Sequence, residues 1–487
     1  MVISTLKYSG KQKHMKKTKI VATMGPACAD KETLRAMMLA GMNVARLNFS
    51  HGGYNDHKKI IDTIRELNSE TGLNIGLLAD LQGPKIRTRK MKDNGVLLEN
   101  GKEVTIVVDD KLEGTAEKFA INYKELPRDV AAGELILLDD GKLQLEVLKT
   151  NGTNEVIAKV NHGGILSSNK GVNLPNTKIS LPCLTEKDIE DLNWAIEQNF
   201  DWIGLSFVRS ARDIIELKHI IANSKCKAKV IAKIEKPEAV KDIDDIIRQT
   251  DAIMVARGDL GVEIPMEDVP LVQKMLIQKC YLHAKPIIVA TQMMESMIDN
   301  ITPTRAEVND VANAVLDGAD AVMLSGETSV GKHPIQVINA MSKIVTKMET
   351  SEAIYHKEEL PEKNQERFIS DSICFNATRL SQRVESKGIV TMSFSGYTAY
   401  KIASQRPKAP IFVFTSNKRI LTQINLIWGV RGFYYDKVVS TDHTIADIKY
   451  ILKKEGMLKE GDLVINITSI PIEEMGKSNM LKLSYVD

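Results

Sequence analysis

The sequence is poor in aromatic residues, at 5% of 487, and poor in cysteine, with five. Cys28, Cys183, Cys226, Cys280 and Cys374 are odd in number, scattered, and contain no CxxC pair. That spacing excludes a disulfide framework and points to a reducing, cytoplasmic setting. No apolar run approaches the roughly 18 residues of a membrane-spanning helix. An excess of either charge is lacking too: Lys+Arg number 65 against Asp+Glu 63, a net +2. Such a balance gives no electrostatic footprint for nucleic acid or an anionic membrane surface. The first fourteen residues hold Lys7, Lys11, Lys13 and His14 but no acid, and no arginine precedes Arg35. They read as an N-terminal tail over 1–15 rather than a transit peptide, with Met15 an alternative start to Met1.

What is present is a soluble globular composition, 43% hydrophobic and 26% charged, long enough for about three domains. The stretch 229–265, KVIAKIEKPEAVKDIDDIIRQTDAIMVARGDLGVEIP, organises the rest. A short apolar strand runs into Lys233 and Glu235. An amphipathic segment with Val240, Ile243, Ile246 and Ile247 follows, and a second strand runs into Arg257, Gly258 and Asp259. Strand–helix–strand order makes a parallel unit whose strands end on one edge. Taken alone, Lys-x-Glu at a strand end reads as a solvated ion pair and Arg-Gly-Asp-Leu-Gly as a turn. Together, at neighbouring strand ends, they read as a ligand site. Two carboxylates suit magnesium or manganese, and a lysine beside that ion can hold a developing oxyanion.

Eight such apolar strands are predicted, at 19–25, 43–48, 75–80, 202–207, 230–235, 252–258, 286–292 and 321–327, most followed by helical periodicity. Thr304 with Glu307, and more weakly Thr185 with Asp188, give capping-box signals, and Gly318 closes a helix. Eight units imply a closed (β/α)8 TIM barrel over 16–84 and 183–350, active at the strands' C-terminal ends. Those ends collect Arg46, Asn48, Ser50, Asp80, Ser206, Lys233, Glu235, Asp259, Thr291, Ser325 and Glu327. Between the third and fourth strands, 85–182 alternates with period two and carries the turn signal Asp140-Gly141, so a small β-barrel lid domain is predicted there. After the charged segment 356–366, region 351–487 shows a second α/β pattern with strands at 388–393, 410–415, 432–435 and 462–468. Its first strand enters a helix at 399–405 through Ser393, Ser395, Gly396 and Thr398, which suits a phosphate.

Over nearly its whole length, from Lys16 onward, the chain resembles the pyruvate kinases. The segments that carry the resemblance include GMNVARLNFSHG, KGVNLPNTKISLP, KIEKPEAV, MVARGDLGVEIP, ATQMMESMI, PTRAEVNDVANAVLDGADAVMLSGET and SGYTAYKIASQRP. The resemblance implies a barrel, a lid, a C-terminal effector domain and a homotetramer. It also implies transfer of the phosphoryl group of phosphoenolpyruvate to ADP, giving pyruvate and ATP. By that resemblance Glu235 and Asp259 hold Mg2+ or Mn2+, and Lys233 neutralises the transferring group, with Arg46, Thr291, Ser325 and Glu327 catalytic beside it. Substrate contacts fall to Lys233, Gly258, Asp259, Thr291 and Ser206. Nucleotide contacts fall to Arg46, Asn48, His51, Arg87, Lys170 and Asp140.

Two departures stand out. Many of the family need potassium and read Asp-Thr-Lys-Gly-Pro-Glu where this chain reads Asp80-Leu81-Gln82-Gly83-Pro84-Lys85. The monovalent-cation region, Asn48, Ser50, Asp80, Leu81 and Lys85, thus lacks the threonine ligand and gains an ammonium, so potassium is expected not to be required. Near the C-terminus, TSIPIEEMGKSNM puts Glu473 and Glu474 where bisphosphate-activated relatives carry Arg or Trp, so a monophosphate effector is expected. Barrel lyases that stabilise a pyruvate enolate would need no lid, and a scaffold would not retain Lys233, Glu235, Asp259 and Arg46.

Overall fold

The computed structural model describes residues 15–175, 177–437, 439–470 and 477–487. The tail 1–14, and Glu473 and Glu474, lie outside the described residues. Eight parallel strands close a barrel: β1 (Lys19–Thr23), β2 (Val44–Asn48), β3 (Gly76–Asp80), β12 (Trp202–Leu205), β13 (Lys229–Ile234), β14 (Ala252–Ala256), β15 (Ile287–Ala290) and β16 (Ala321–Leu324). All eight predicted strands are there, most ending earlier than expected. The chain leaves β14 directly into a short helix, Arg257–Glu263, and β16 into another, Gly326–Ser329. Both capping boxes form, and Gly318 closes its helix at φ 104°.

Alternation along each strand sorts side chains between two cores. Ile20, Ala22, Val230, Ala232, Ile253 and Val255 face the helices. Val21, Val44, Leu78, Trp202, Ile231, Ala252 and Met254 fill the barrel interior. Two residues beyond an interior apolar position, still pointing inward, come Thr23, Arg46, Asp80 and Lys233. Period two therefore delivers a polar layer to the top of the barrel.

The insertion carries β4 (Gly95–Leu98), β5 (Glu103–Val107), β6 (Lys118–Ala120), β7 (Leu135–Leu138), β8 (Leu143–Thr150), β9 (Glu155–His162), β10 (Gly164–Ser167) and β11 (Val172–Asn173). Six form one sheet, β11-β7-β8-β9-β5-β6, and β4 pairs with β10. Bridges Arg87–Gly171 and Thr88–Ile121 draw the edges of the six-stranded sheet together into a barrel-like body with its own core. The hairpin β7–β8 turns at Asp139, Asp140 and Gly141, all at positive φ.

The C-terminal part is a five-stranded sheet: β17 (Gly388–Met392), β18 (Ile411–Thr415), β19 (Val430–Tyr434), β20 (Leu463–Thr468) and β21 (Met480–Tyr485), in the order β19-β18-β17-β20-β21. β21 is antiparallel, was not predicted, and is largely exposed, so it lacks the apolar run of a buried parallel strand. Leu426 of this domain joins the barrel's interior cluster, which seats the barrel on it.

Candidate active site

Asp80, 1% exposed, anchors the polar layer. Arg46 donates to its Oδ2 from Nε at 2.7 Å and ion-pairs through its second nitrogen at 2.6 Å, while another guanidinium nitrogen donates to Thr23 Oγ1 at 2.8 Å. Lys233 Nζ lies 3.2 Å from Asp80 Oδ1 and 2.9 Å from Glu235 Oε1, and donates to Ser206 Oγ at 2.6 Å. Ser206 in turn donates to the Leu81 carbonyl at 2.7 Å. Burial alone would push the Lys233 ammonium down, but the Asp80 and Glu235 carboxylates outweigh it and hold the group above its ordinary range. Burial raises Asp80 too, but Lys233 and Arg46 prevail and keep its carboxyl below the usual range.

Glu235 is pushed up by burial, with the Asp259 charge adding to it and Lys233 opposing. Its Oε2 accepts from the Phe207 amide at 2.7 Å. Phe207 sits at φ +54°, a conformation uncommon outside glycine and a mark of stored strain at a site. Among the described residues no three His, Cys, Asp or Glu side chains gather to hold a metal. Two carboxylates are what the site supplies, and that donor set fits a magnesium-like ion, which takes its remaining ligands from water and substrate phosphate.

Two clefts meet here. The inner one, about 60 Å³, is lined by Arg46, Asn48, Ser50, Lys85, Lys233 and Asp259 among others. The outer one, about 340 Å³, lies between barrel and lid, and His51, Arg87, Asp140, Lys170, Lys236 and Glu263 line it. Lys85 and Asp259 border both. No carboxylate lies within ion-pair distance of Lys85 among the described residues. Leu81, 1% exposed, packs in the core between strands and helices. Burial pulls His51 down, and Lys85, Arg87 and Arg46 add to the effect. Lys170 pairs with Asp139 at 2.9 Å, and Arg87 donates to the Asn169 carbonyl at 3.0 Å. Asn48 Oδ1 accepts from the Ser50 amide at 3.1 Å.

Some expected residues sit differently. Arg257 does not converge on the edge; it spans away to Asp310, at 2.7 Å from both oxygens, and to the Thr291 carbonyl. The Gly258 amide donates to Thr291 Oγ1 at 2.8 Å, and Thr291 is itself held at φ +70°. Glu327, 2% exposed, accepts from the Ser325 amide at 2.6 Å and the Met294 amide at 3.1 Å, so it braces two loops. Sequence reasoning missed Thr23, Lys236, Glu263 and the hinge fixings. Gly83 N donates to Asp188 Oδ1 at 3.0 Å, and Arg209 holds the Ile179 and Leu181 carbonyls at 2.8 Å. Thr23 alone had a signal, as the inward residue two beyond Val21.

At the distal cradle the expected residues lie close together. Ser393 Oγ accepts from the Gly396 amide at 2.9 Å, Thr398 Oγ1 meets Ser478 Oγ at 2.9 Å, and the helix Tyr397–Ser404 starts there. The cavity, about 270 Å³, also presents Arg367, Lys437 and Lys477.

A (β/α)8 barrel with an inserted β domain over buried cations and a carboxylate pair suits a phosphoryl-transfer enzyme. The pyruvate kinase barrel-domain model matches residues 15–338 and the pyruvate kinase alpha/beta-domain model matches 371–484. A pyruvate kinase from Corynebacterium efficiens is 45% identical over 96% of this chain and 97% of that protein. One from Geobacillus stearothermophilus is 42% identical over 97% of this chain and 80% of its own length. A solved pyruvate kinase from Cryptosporidium parvum superposes with a TM-score of 0.90 at 34% identity, over 97% of this chain and 96% of that one. The chain belongs to the pyruvate kinase family. It is a phosphotransferase that moves the phosphoryl group of phosphoenolpyruvate to ADP, yielding pyruvate and ATP.

Proposed function

We propose that the inner cleft takes phosphoenolpyruvate and the outer cleft ADP, so that the phosphoryl group passes between them beside Lys233. The observation that carries this is the buried layer Arg46–Asp80–Lys233–Glu235 at the floor of a cleft roofed by lid residues. A β-phosphate oxygen of ADP forms the new bond to phosphorus as the bond from phosphorus to the enol oxygen breaks. Lys233 and Arg46 stabilise the charge that spreads over the phosphoryl oxygens and the departing enolate. Asp80 keeps both cations in place. Thr291, through water, directs a proton to the methylene carbon, and Arg257, Gly258 and Glu327 hold the loops that present it.

Glu235 and Asp259 would hold Mg2+ or Mn2+, which when bound supplies positive charge to the phosphate oxygens. Burial and the neighbouring Asp259 charge raise Glu235, so its affinity for a cation falls as pH drops through that raised value. Lys85 borders both clefts where relatives use potassium, and its fixed ammonium supplies that charge. Arg87, Lys170, Asp140, His51 and Asn48 meet the nucleotide. The distal cradle, with three cations around Ser393, Ser395 and Thr398, takes a monophosphate such as a sugar phosphate or nucleotide. The five cysteines are buried and unpaired, which suits work in a reducing cytoplasm. Assembly as a homotetramer rests on the family likeness.

Equilibrium titration of Mn2+ tests the assignment without relying on turnover. Glu235→Ala should weaken binding by at least an order of magnitude. Unchanged affinity would remove Glu235 from the metal site.

A further inference from the structure

Three residues that lie within the segments carrying the family resemblance but were given no role there, Asn173, Lys236 and Glu263, meet beneath the lid. Glu263, 4% exposed, ends the helix whose first turn carries Asp259, and it stands four residues on, on the same helical face. Its Oε1 accepts from Lys236 Nζ at 2.7 Å, and Lys236 directly follows Glu235. The same oxygen accepts from Asn173 Nδ2 at 2.8 Å, and Asn173 is the last residue of lid strand β11. One carboxylate therefore ties together the helix carrying Asp259, the loop carrying Glu235, and the lid. The lid's hairpin tip comes near the same helix: a methyl on Gly141 would lie 3.8 Å from Val262 Cγ1. Lys236 also lies 6.0 Å from the Phe207 ring centroid, next to the strained turn whose amide holds Glu235.

We propose that Glu263 is a positioning residue: it holds the lid shut over the outer cleft through Asn173, while Lys236 holds the Glu263 carboxylate in place. The inference rests on the reading that ADP occupies the outer cleft. Lys236 and Glu263 form a buried ion pair, and removing one partner strands the other charge, a severe change to the fold. Asn173 is neutral and part of the lid edge, so truncating it releases the latch and leaves the ion pair intact.

The test is steady-state kinetics on the full-length chain with magnesium, varying ADP and phosphoenolpyruvate separately, beside amide hydrogen exchange of segment 170–175 with and without magnesium–ADP. Asn173→Ala should raise KM for ADP about tenfold, the value of one hydrogen bond to a charged acceptor. KM for phosphoenolpyruvate should stay put, and the nucleotide's protection of 170–175 should vanish. An unchanged KM for ADP, or equal rises for both substrates, would overturn the latch while leaving the cleft assignment standing. Wild-type protection of 170–175 by phosphoenolpyruvate and not by ADP would instead overturn the cleft assignment, and the latch with it.

Discussion

Lys233 shows how a charge is kept available inside a protein. The residue is 8% exposed, and a lone buried amine would shed its proton. The flanking Asp80 and Glu235 carboxylates reverse that tendency, so the group stays cationic at neutral pH. A cation that is pre-placed and dry strengthens most where charge develops, which is the transition state. Lys233→Met should therefore lower kcat by about 100- to 1000-fold with little change in KM for phosphoenolpyruvate. A rate close to wild type would remove Lys233 from the chemistry. Lys85 is the second informative residue. Leu81 is packed in the core and offers no side-chain oxygen to a cation. On the proposed reading, the Lys85 ammonium that borders both clefts supplies the charge a monovalent cation would bring.

At the scale of elements, the barrel strands were legible because strands buried on both faces read as short apolar runs, and the polar layer follows from their register. Arg46, Asp80 and Lys233 could be placed together from sequence because each falls toward the C-terminal end of a predicted barrel strand. Arg257 could not, because the chain turns into a helix right after Ala256 and carries the side chain out toward Asp310. Strand β21 escaped notice because an exposed edge strand carries no apolar run. The latch at Glu263 was invisible because Asn173, Lys236 and Glu263 come from three separate elements. The hinge adds a requirement of its own: Gly83 lies at φ +71°, and a methyl there would stand 2.7 Å from the Phe207 ring. Gly83→Ala should lower stability by roughly 1–3 kcal/mol, read as a fall in the thermal midpoint. An unchanged midpoint would mean the hinge relaxes freely.

Across the whole molecule, buried charge joins the barrel to its C-terminal partner. Arg406 pairs with Asp320 at 2.9 Å, Lys19 donates to the Val430 carbonyl at 2.7 Å, and Lys17 lies 5.0 Å from the Trp428 ring centroid. Burial, against the pull of Glu349, pushes Lys17 down to about 8 and Lys19 down to about 7. Unfolded lysines keep their protons up to about 10.4, so above these folded values the unfolded chain binds more protons and stability rises with pH. The thermal midpoint should be higher at about pH 8.5 than at about pH 7; a flat profile would mean both lysines stay charged in the fold. The family, the barrel and the reaction rest on fold and kinship, and the role proposed for Lys85 is how this chain completes the charge of its site. The most direct measurement is pyruvate formation from phosphoenolpyruvate and ADP with magnesium, run once with potassium and once with only a bulky organic cation. Equal rates are expected, with the Lys85→Glu chain losing most of its rate in the organic cation. Activity in potassium alone would contradict the role given to Lys85.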